Sequence, residues 1–232
     1  MKTTDVLALL EANQDERGIQ KWNDLGPGSG KLESFGIGLT RLRKLAKQIG
    51  RDHDLARQLW SSDVYDAKII SMLVDDPKRL TRGQVEKQVD QLEQGHLAHV
   101  FASCDATLAK APFAVELASE WMDSASTVRR RCGFMLLYEV SKSKKKSAPD
   151  EAFFLERIEH IRTSFQREER SVLGAMGGAL LGMGKRSAKL NAAALKVART
   201  IGPIEFDSNN DCEPFDVVKH LTSDYITKKL GL

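Results

Sequence analysis

The sequence lacks the marks of a sheet. No run of alternating Val, Ile, Thr or Tyr reads as a strand, and no Asn-Gly hairpin signal occurs. The one short extended candidate is Pro203 to Phe206. Aromatic residues make up only 6% of the chain. Its three cysteines, Cys104, Cys132 and Cys212, form no CxxC and make an odd count. That argues against a disulfide framework and for free thiols in a reducing compartment. Long apolar runs are missing as well. The longest weakly polar stretch, Val172 to Gly184, is 13 residues and too short to span a bilayer. The opening MKTTDVLALLEANQDE has an acidic residue before its apolar run and no small-residue cleavage site. It does not read as a signal peptide, so a cytoplasmic protein away from membranes is expected. No strong charge imbalance exists: 35 Lys and Arg face 32 Asp and Glu, for a net charge of +3. An anionic partner is allowed but not demanded, and any basic surface must come from the distribution of charge.

What is present points to helices. The chain has 232 residues, 41% hydrophobic and 29% charged, enough for a substantial core. Leu39, Leu42, Leu45, Ala46 and Ile49 follow a 3.6-residue period, as do Phe154, Ile158, Ile161 and Phe165. Further helices are expected near 2–14, 53–61, 64–74, 82–93, 97–107, 113–123, 127–141, 168–183, 187–200 and 215–229. Asp52 and Asp150 are placed to cap helices that follow them. The six prolines (27, 77, 112, 149, 203 and 214) fall at breaks between these patterns, where proline's missing N–H does no harm. The pattern predicts an all-α fold, an α-solenoid of antiparallel helix pairs curved around a concave face. A closed helical bundle is the other architecture it allows.

Particular residues carry a family resemblance. Ser34-Phe35-Gly36-Ile37 is followed by Leu42-Arg43, Leu45-Ala46, Leu55-Ala56, Leu59-Trp60, Asp66-Ala67-Lys68 and Asp75-Asp76-Pro77. Further on come Pro112-Phe113-Ala114, Trp121, Arg131 ahead of Gly133-Phe134, and Gly184-Lys185-Arg186 with Leu190-Asn191. In order and spacing these resemble the bacterial DNA alkylation repair family of AlkD-like proteins, over roughly residues 30 to 200. Asp66-Ala67-Lys68 stands where the family has Glu-x-Arg. The tail through Cys212 and Asp216 looks like the C-terminal extension of one branch. The resemblance implies HEAT-like repeats that hold duplex DNA on the concave face. It also implies, in active members, an Asp that stabilises a developing sugar cation beside Trp residues that favour cationic groups. The expected organisation is a HEAT-like helical repeat domain over 1–202 and a C-terminal extension over 203–232, with one helix packed on the array.

The chain departs from the family at that machinery. The family's Trp aligns with Gly95, its catalytic Asp with His99, and a later Trp with Gly178. No Trp lies between Trp60 and Trp121 or after Trp121. Glycine offers no aromatic face, and histidine cannot supply the negative charge an oxocarbenium needs.

The strongest charge feature is Arg129, Arg130, Arg131, Lys142, Lys144, Lys145 and Lys146, seven basic residues within 18 positions. It reads as a phosphate-binding patch with Arg131 at the family's DNA-contacting Arg, or as a solvated helix face followed by a basic loop. Arg43, Lys47 and Arg51 share a face if their helix runs that far. Lys185 and Arg186 end a Gly-rich helix, where they meet phosphate or complement the helix terminus. His96, His99 and Cys104 lack the further ligands of a metal site, and local polar contacts are the preferred reading. Nothing in the sequence places a base beside Cys104, and Asp105 lies too far along the chain to replace the missing acid. Gly26-Pro27-Gly28-Ser29-Gly30-Lys31 fails as a phosphate loop, because Leu32 follows Lys31 and no strand precedes. Gly174, Gly178 and Gly182 suggest a close helix–helix contact; a groove cleared for nucleic acid is the alternative. Trp60 and Trp121 read as core.

The expected function is DNA binding without base excision. Phosphates of duplex or structured DNA would be met by Arg43, Lys47, Arg129, Arg131, Lys185 and Arg186, in a monomer with no cofactor, no metal and no assigned catalytic residue. The alternatives are an alkylpurine DNA glycosylase with relocated residues and a protein-binding helical scaffold.

Overall fold

The computed structural model describes residues 1–26, 30–92, 96–205 and 213–232. Fourteen α-helices occur among them. The chain forms two compact units, Met1–Ala114 and Val115–Leu232.

The first unit holds α1 (Thr3–Glu11), α2 (Glu16–Asn23), α3 (Leu39–Ile49), α4 (His53–Trp60), α5 (Tyr65–Val74), α6 (Arg82–Val89) and α7 (Leu97–Ala102). Helix α5 is its hub and packs against α1, α3, α4 and α7. Its sequence is apolar nearly all round, so it is buried on nearly every side. The two charged residues it buries are both satisfied. Asp66 accepts from Ser34 Oγ at 2.8 Å, from Phe35 N at 2.8 Å and from Ile37 N at 3.1 Å. Lys68 donates to the carbonyl of Trp60 at 2.5 Å and lies over that indole. Asp52 accepts from Leu55 N and caps α4, as its position predicts.

The second unit holds α8 (Ala114–Met122, opening at the boundary), α9 (Thr127–Ser141), α10 (Glu151–Ser164), α11 (Arg170–Gly184), α12 (Ala188–Ile201), α13 (Val217–Leu221) and α14 (Asp224–Leu230). Helix α11 is the hub here, against α9, α10, α12 and α13. Asp150 caps α10 through Phe153 N. Ile204 forms a single antiparallel bridge with Phe215, so the extended segment is real but pairs at one residue; Phe206 lies outside the described residues. Residues 213–232 form two short helices rather than one, because the chain turns at Thr222–Ser223 and Ser223 becomes the N-cap of α14. Helix α13 packs on α11 and α12. The described prolines all sit outside α-helices, and Trp60 and Trp121 are core residues.

Candidate nucleic-acid interface

The basic run at 129–146 does not form one patch. Arg129 to Arg131 lie near the start of α9, whereas Lys142 caps its far end. Fifteen helical residues separate the two ends by roughly 20 Å. At the first end, Arg130 is committed to the fold. Its Nε donates to both carboxylate oxygens of Glu168 at 3.0 Å, and its Nη1 to the carbonyls of Ser124 and Ala125 at 2.9 Å. Arg129 and Arg131 flank it, both half-buried. Arg131 has no ion pair among the described residues.

At the second end the C-termini of α9 and α11 meet. Arg186 donates from Nη1 to the carbonyl of Ser141, and to that of Ser143 at 3.0 Å, while its guanidinium lies 4.4 Å over the Phe154 ring. These contacts fill orphan carbonyls at the end of α9, so Arg186 is a capping residue. Lys142 pairs with Glu139 at 2.6 Å and covers Tyr138. Lys144, Lys145 and Lys146 stand exposed beyond it, with no ion pair among the described residues. Lys185 caps α11, and Lys229 donates to its carbonyl at 2.8 Å. Burial, then the Lys229 charge, hold the Lys185 amine below the ordinary lysine range. This end of the unit therefore concentrates cations where two helix dipoles are negative.

In the first unit, α3 presents Arg43, half-exposed and ion-paired with Asp105, and Lys47, exposed and without an ion pair among the described residues. Arg51 does not extend that face. The helix ends at Ile49, Gly50 takes a positive φ of 80°, and Arg51 turns to donate to the carbonyl of Asp75 at 2.7 Å. Asp75 is buried, with Oδ1 at 2.7 Å from both His53 Nδ1 and Asp76 N, and Oδ2 at 3.0 Å from Gln84 Nε2.

The glycines of α11 divide into two kinds. A Cβ on Gly182 would stand 2.3 Å from Ser141 Oγ and 2.8 Å from Tyr138, so this glycine makes the close contact with α9. A Cβ on Gly174 or Gly178 would meet nothing within 4 Å. The expected small-residue contact therefore rests on Gly182, and the other two glycines front open space. Helix α7 ends early, at Ala102, with His99 exposed in its last turn and Cys104 beside it. The Cys104 sulfur lies 3.1 Å from His99 Nε2, a neighbour the sequence did not reveal because the helix was expected to run on to 107. Gly95, Cys212 and Pro27 to Ser29 lie outside the described residues. Among the described residues, no three His, Cys, Asp or Glu side chains form a group able to hold a metal, and no helix is long and apolar enough to cross a membrane.

A family profile described as DNA alkylation repair enzyme matches residues 6–204. The chain belongs to this family. An uncharacterized protein of Listeria monocytogenes is 20% identical to this chain over 193 residues, covering 82% of this chain and 83% of its own. An uncharacterized protein of Listeria innocua matches to the same extent. A solved structure described as "a new family of proteins related to the HEAT-like repeat DNA glycosylases with affinity for branched DNA structures" superposes with a TM-score of 0.82 at 21% identity, covering 100% of this chain and 97% of that one. The all-α HEAT-like repeat architecture expected from the sequence is thus the fold of this DNA alkylation repair protein.

Proposed function

We propose that the protein binds DNA through backbone phosphates and does not excise bases. Membership of the DNA alkylation repair family carries the first half of this reading. Phosphate contact is assigned to Lys47 in the first unit and to Arg129, Arg131 and Lys185 in the second, joined by Lys144, Lys145 and Lys146. Arg43 contributes once its pairing with Asp105 yields to phosphate, and Arg186 supports the cluster by holding the end of α9. The affinity for branched DNA described for the structural neighbour makes a junction the preferred ligand to test here. The second half rests on His99, which replaces the family's catalytic carboxylate, and on Gly178, which replaces an aromatic face.

A gel shift with linear and four-way-branched duplexes at two salt concentrations tests the binding. Affinity should fall steeply with salt and vary little with sequence, because counterion release drives association. Arg129→Ala combined with Arg131→Ala should weaken it, and unchanged affinity would remove these arginines from the interface. The family's description as a repair enzyme favours one competing reading, alkylpurine excision. Release of free methylated base from alkylated DNA above a no-protein control would establish that reading and refute ours.

A further inference from the structure

We propose that Cys104, with His99 as its base, is a nucleophilic site that takes an alkyl group from a soft carbon electrophile. The inference stands on the first unit alone and does not depend on the DNA-binding reading. The Cys104 sulfur lies 3.1 Å from His99 Nε2 and 3.4 Å from the Ser103 hydroxyl. That hydroxyl donates to the carbonyl of His99 at 2.6 Å, which holds the sulfur and the imidazole on one side of the end of α7. Cys104 is half-exposed and His99 exposed, so a small electrophile reaches the sulfur from solvent.

The surrounding backbone fixes this arrangement. Cys104 has a φ of 56° and Asp105 a φ of 71°, the two non-glycine residues with left-handed backbone among those described. Side chains rarely adopt that conformation without support from their surroundings. Support comes from the ion pair of Asp105 with Arg43. Cys132 is the internal contrast. It is fully buried in α9, and burial pushes its thiol up to about 12, which leaves it inert near neutrality.

The chemistry is a substitution. His99 Nε2 accepts the thiol proton, the sulfur lone pair forms the S–C bond, and the carbon–leaving-group bond breaks with the electron pair going to the leaving group. The imidazolium then returns its proton to water, and no further reactant is needed.

The test uses the full chain carrying Cys212→Ser, with iodoacetamide as the probe and mass mapping of the modified residue. At pH 7, Cys104 should be carbamidomethylated about tenfold faster than N-acetylcysteine, while Cys132 stays unmodified in the folded protein. His99→Asn keeps a polar neighbour but cannot take the proton. It should slow Cys104 about tenfold at pH 7. A parent rate no higher than that of N-acetylcysteine would overturn the proposal, and so would a folded His99→Asn protein that reacts as fast as the parent at pH 7. The comparison with the free thiol decides the matter even if the variant fails to fold.

Discussion

Gly18 and Gly36 pack backbone against backbone. A Cβ on Gly18 would stand 1.9 Å from the carbonyl oxygen of Gly36, and one on Gly36 would stand 2.2 Å from the amide nitrogen of Ile19. Gly36 also holds a φ of 69°. Asp15 N donates to the carbonyl of Phe35 at 2.9 Å, and Asp66 holds the same segment from α5. Helix α2 is thereby docked through two glycines on a loop that a buried carboxylate anchors. Gly18→Ala must push the two backbones apart and should cost about 3 kcal/mol in urea denaturation. Gly83→Ala is the control. Its Cβ would meet nothing within 4 Å, and α6 should gain up to about 1 kcal/mol from the change. Equal stability of the two variants would show that the close approach is absent.

The same logic separates the glycines of α11. Gly174→Ala and Gly178→Ala place a methyl group in open space and remove a flexible residue from a helix interior. Each should stabilise the protein by about 0.5–1 kcal/mol. Gly182→Ala drives its methyl into Ser141 and Tyr138 and should destabilise by about 2 kcal/mol. Thermal melting of the three single variants checks the opposite signs.

Much of this architecture is legible in the sequence because its causes are local. The apolar period of α3 and α10, the caps at Asp52 and Asp150 and the prolines between helices each act within a few residues. Helix α2 escapes that reading. It carries only Ile19 and Trp22 as large apolar residues, contains Gly18, and is held by its docking on Gly36. The end of α7 escapes it too, since the left-handed turn at Cys104 and Asp105 is met by Arg43, which pairs with Asp105 from a distant point in the sequence. Several residues that carry the family resemblance prove to be anchors. Asp66 and Asp75 satisfy backbone and side-chain donors, Arg186 caps α9, and Asn191 donates to the carbonyls of Gly184 and Leu221. A motif tells that a residue is needed, whereas its contacts tell whether it serves the fold or a ligand. For Arg186 and Arg130 those contacts lie within the protein, whereas Lys47 and Lys144 to Lys146 are exposed and make no ion pair among the described residues.

Tyr65 should govern part of the response to alkaline pH. Its ring packs 4.3 Å from that of Trp22, and burial pushes its hydroxyl up to about 12, against a weaker opposing effect from the His96 amide that donates to it. The folded state thus holds the phenolic proton more tightly than the unfolded chain does. The resulting stability is fully present below about pH 10, the value for a free tyrosine, and is lost as pH rises from there towards 12. Urea midpoints at pH 9 and pH 11 should show the parent losing about 1 kcal/mol more than Tyr65→Phe over that interval. Parallel losses in the two proteins would mean that Tyr65 ionises as freely in the fold as outside it.

Arg130 offers a test of stability at the first end of α9. Its partner Glu168 has a side chain only 9% exposed, so Arg130→Ala strands a carboxylate and frees the carbonyls of Ser124 and Ala125. A loss of about 3 kcal/mol is expected by urea denaturation, because an unpaired buried charge costs far more than a surface pair contributes. A loss below about 1 kcal/mol would place Glu168 in effective contact with water.

At the other end of α9, fold and ligand contacts can be separated by two variants. Lys144→Glu with Lys145→Glu reverses charge on side chains that make no ion pair among the described residues. The melting temperature should stay within about 2 °C of the parent. DNA affinity should drop, and the slope of log affinity against log salt should shrink by about 2, one unit for each phosphate no longer neutralised. Arg186→Ala instead removes the donor to the carbonyls of Ser141 and Ser143 and the cation over Phe154. It should cost about 2 kcal/mol of stability and leave the salt slope nearly unchanged. If both variants altered the slope and neither altered the melt, Arg186 would belong to the phosphate-binding set and the capping role assigned to it would fail.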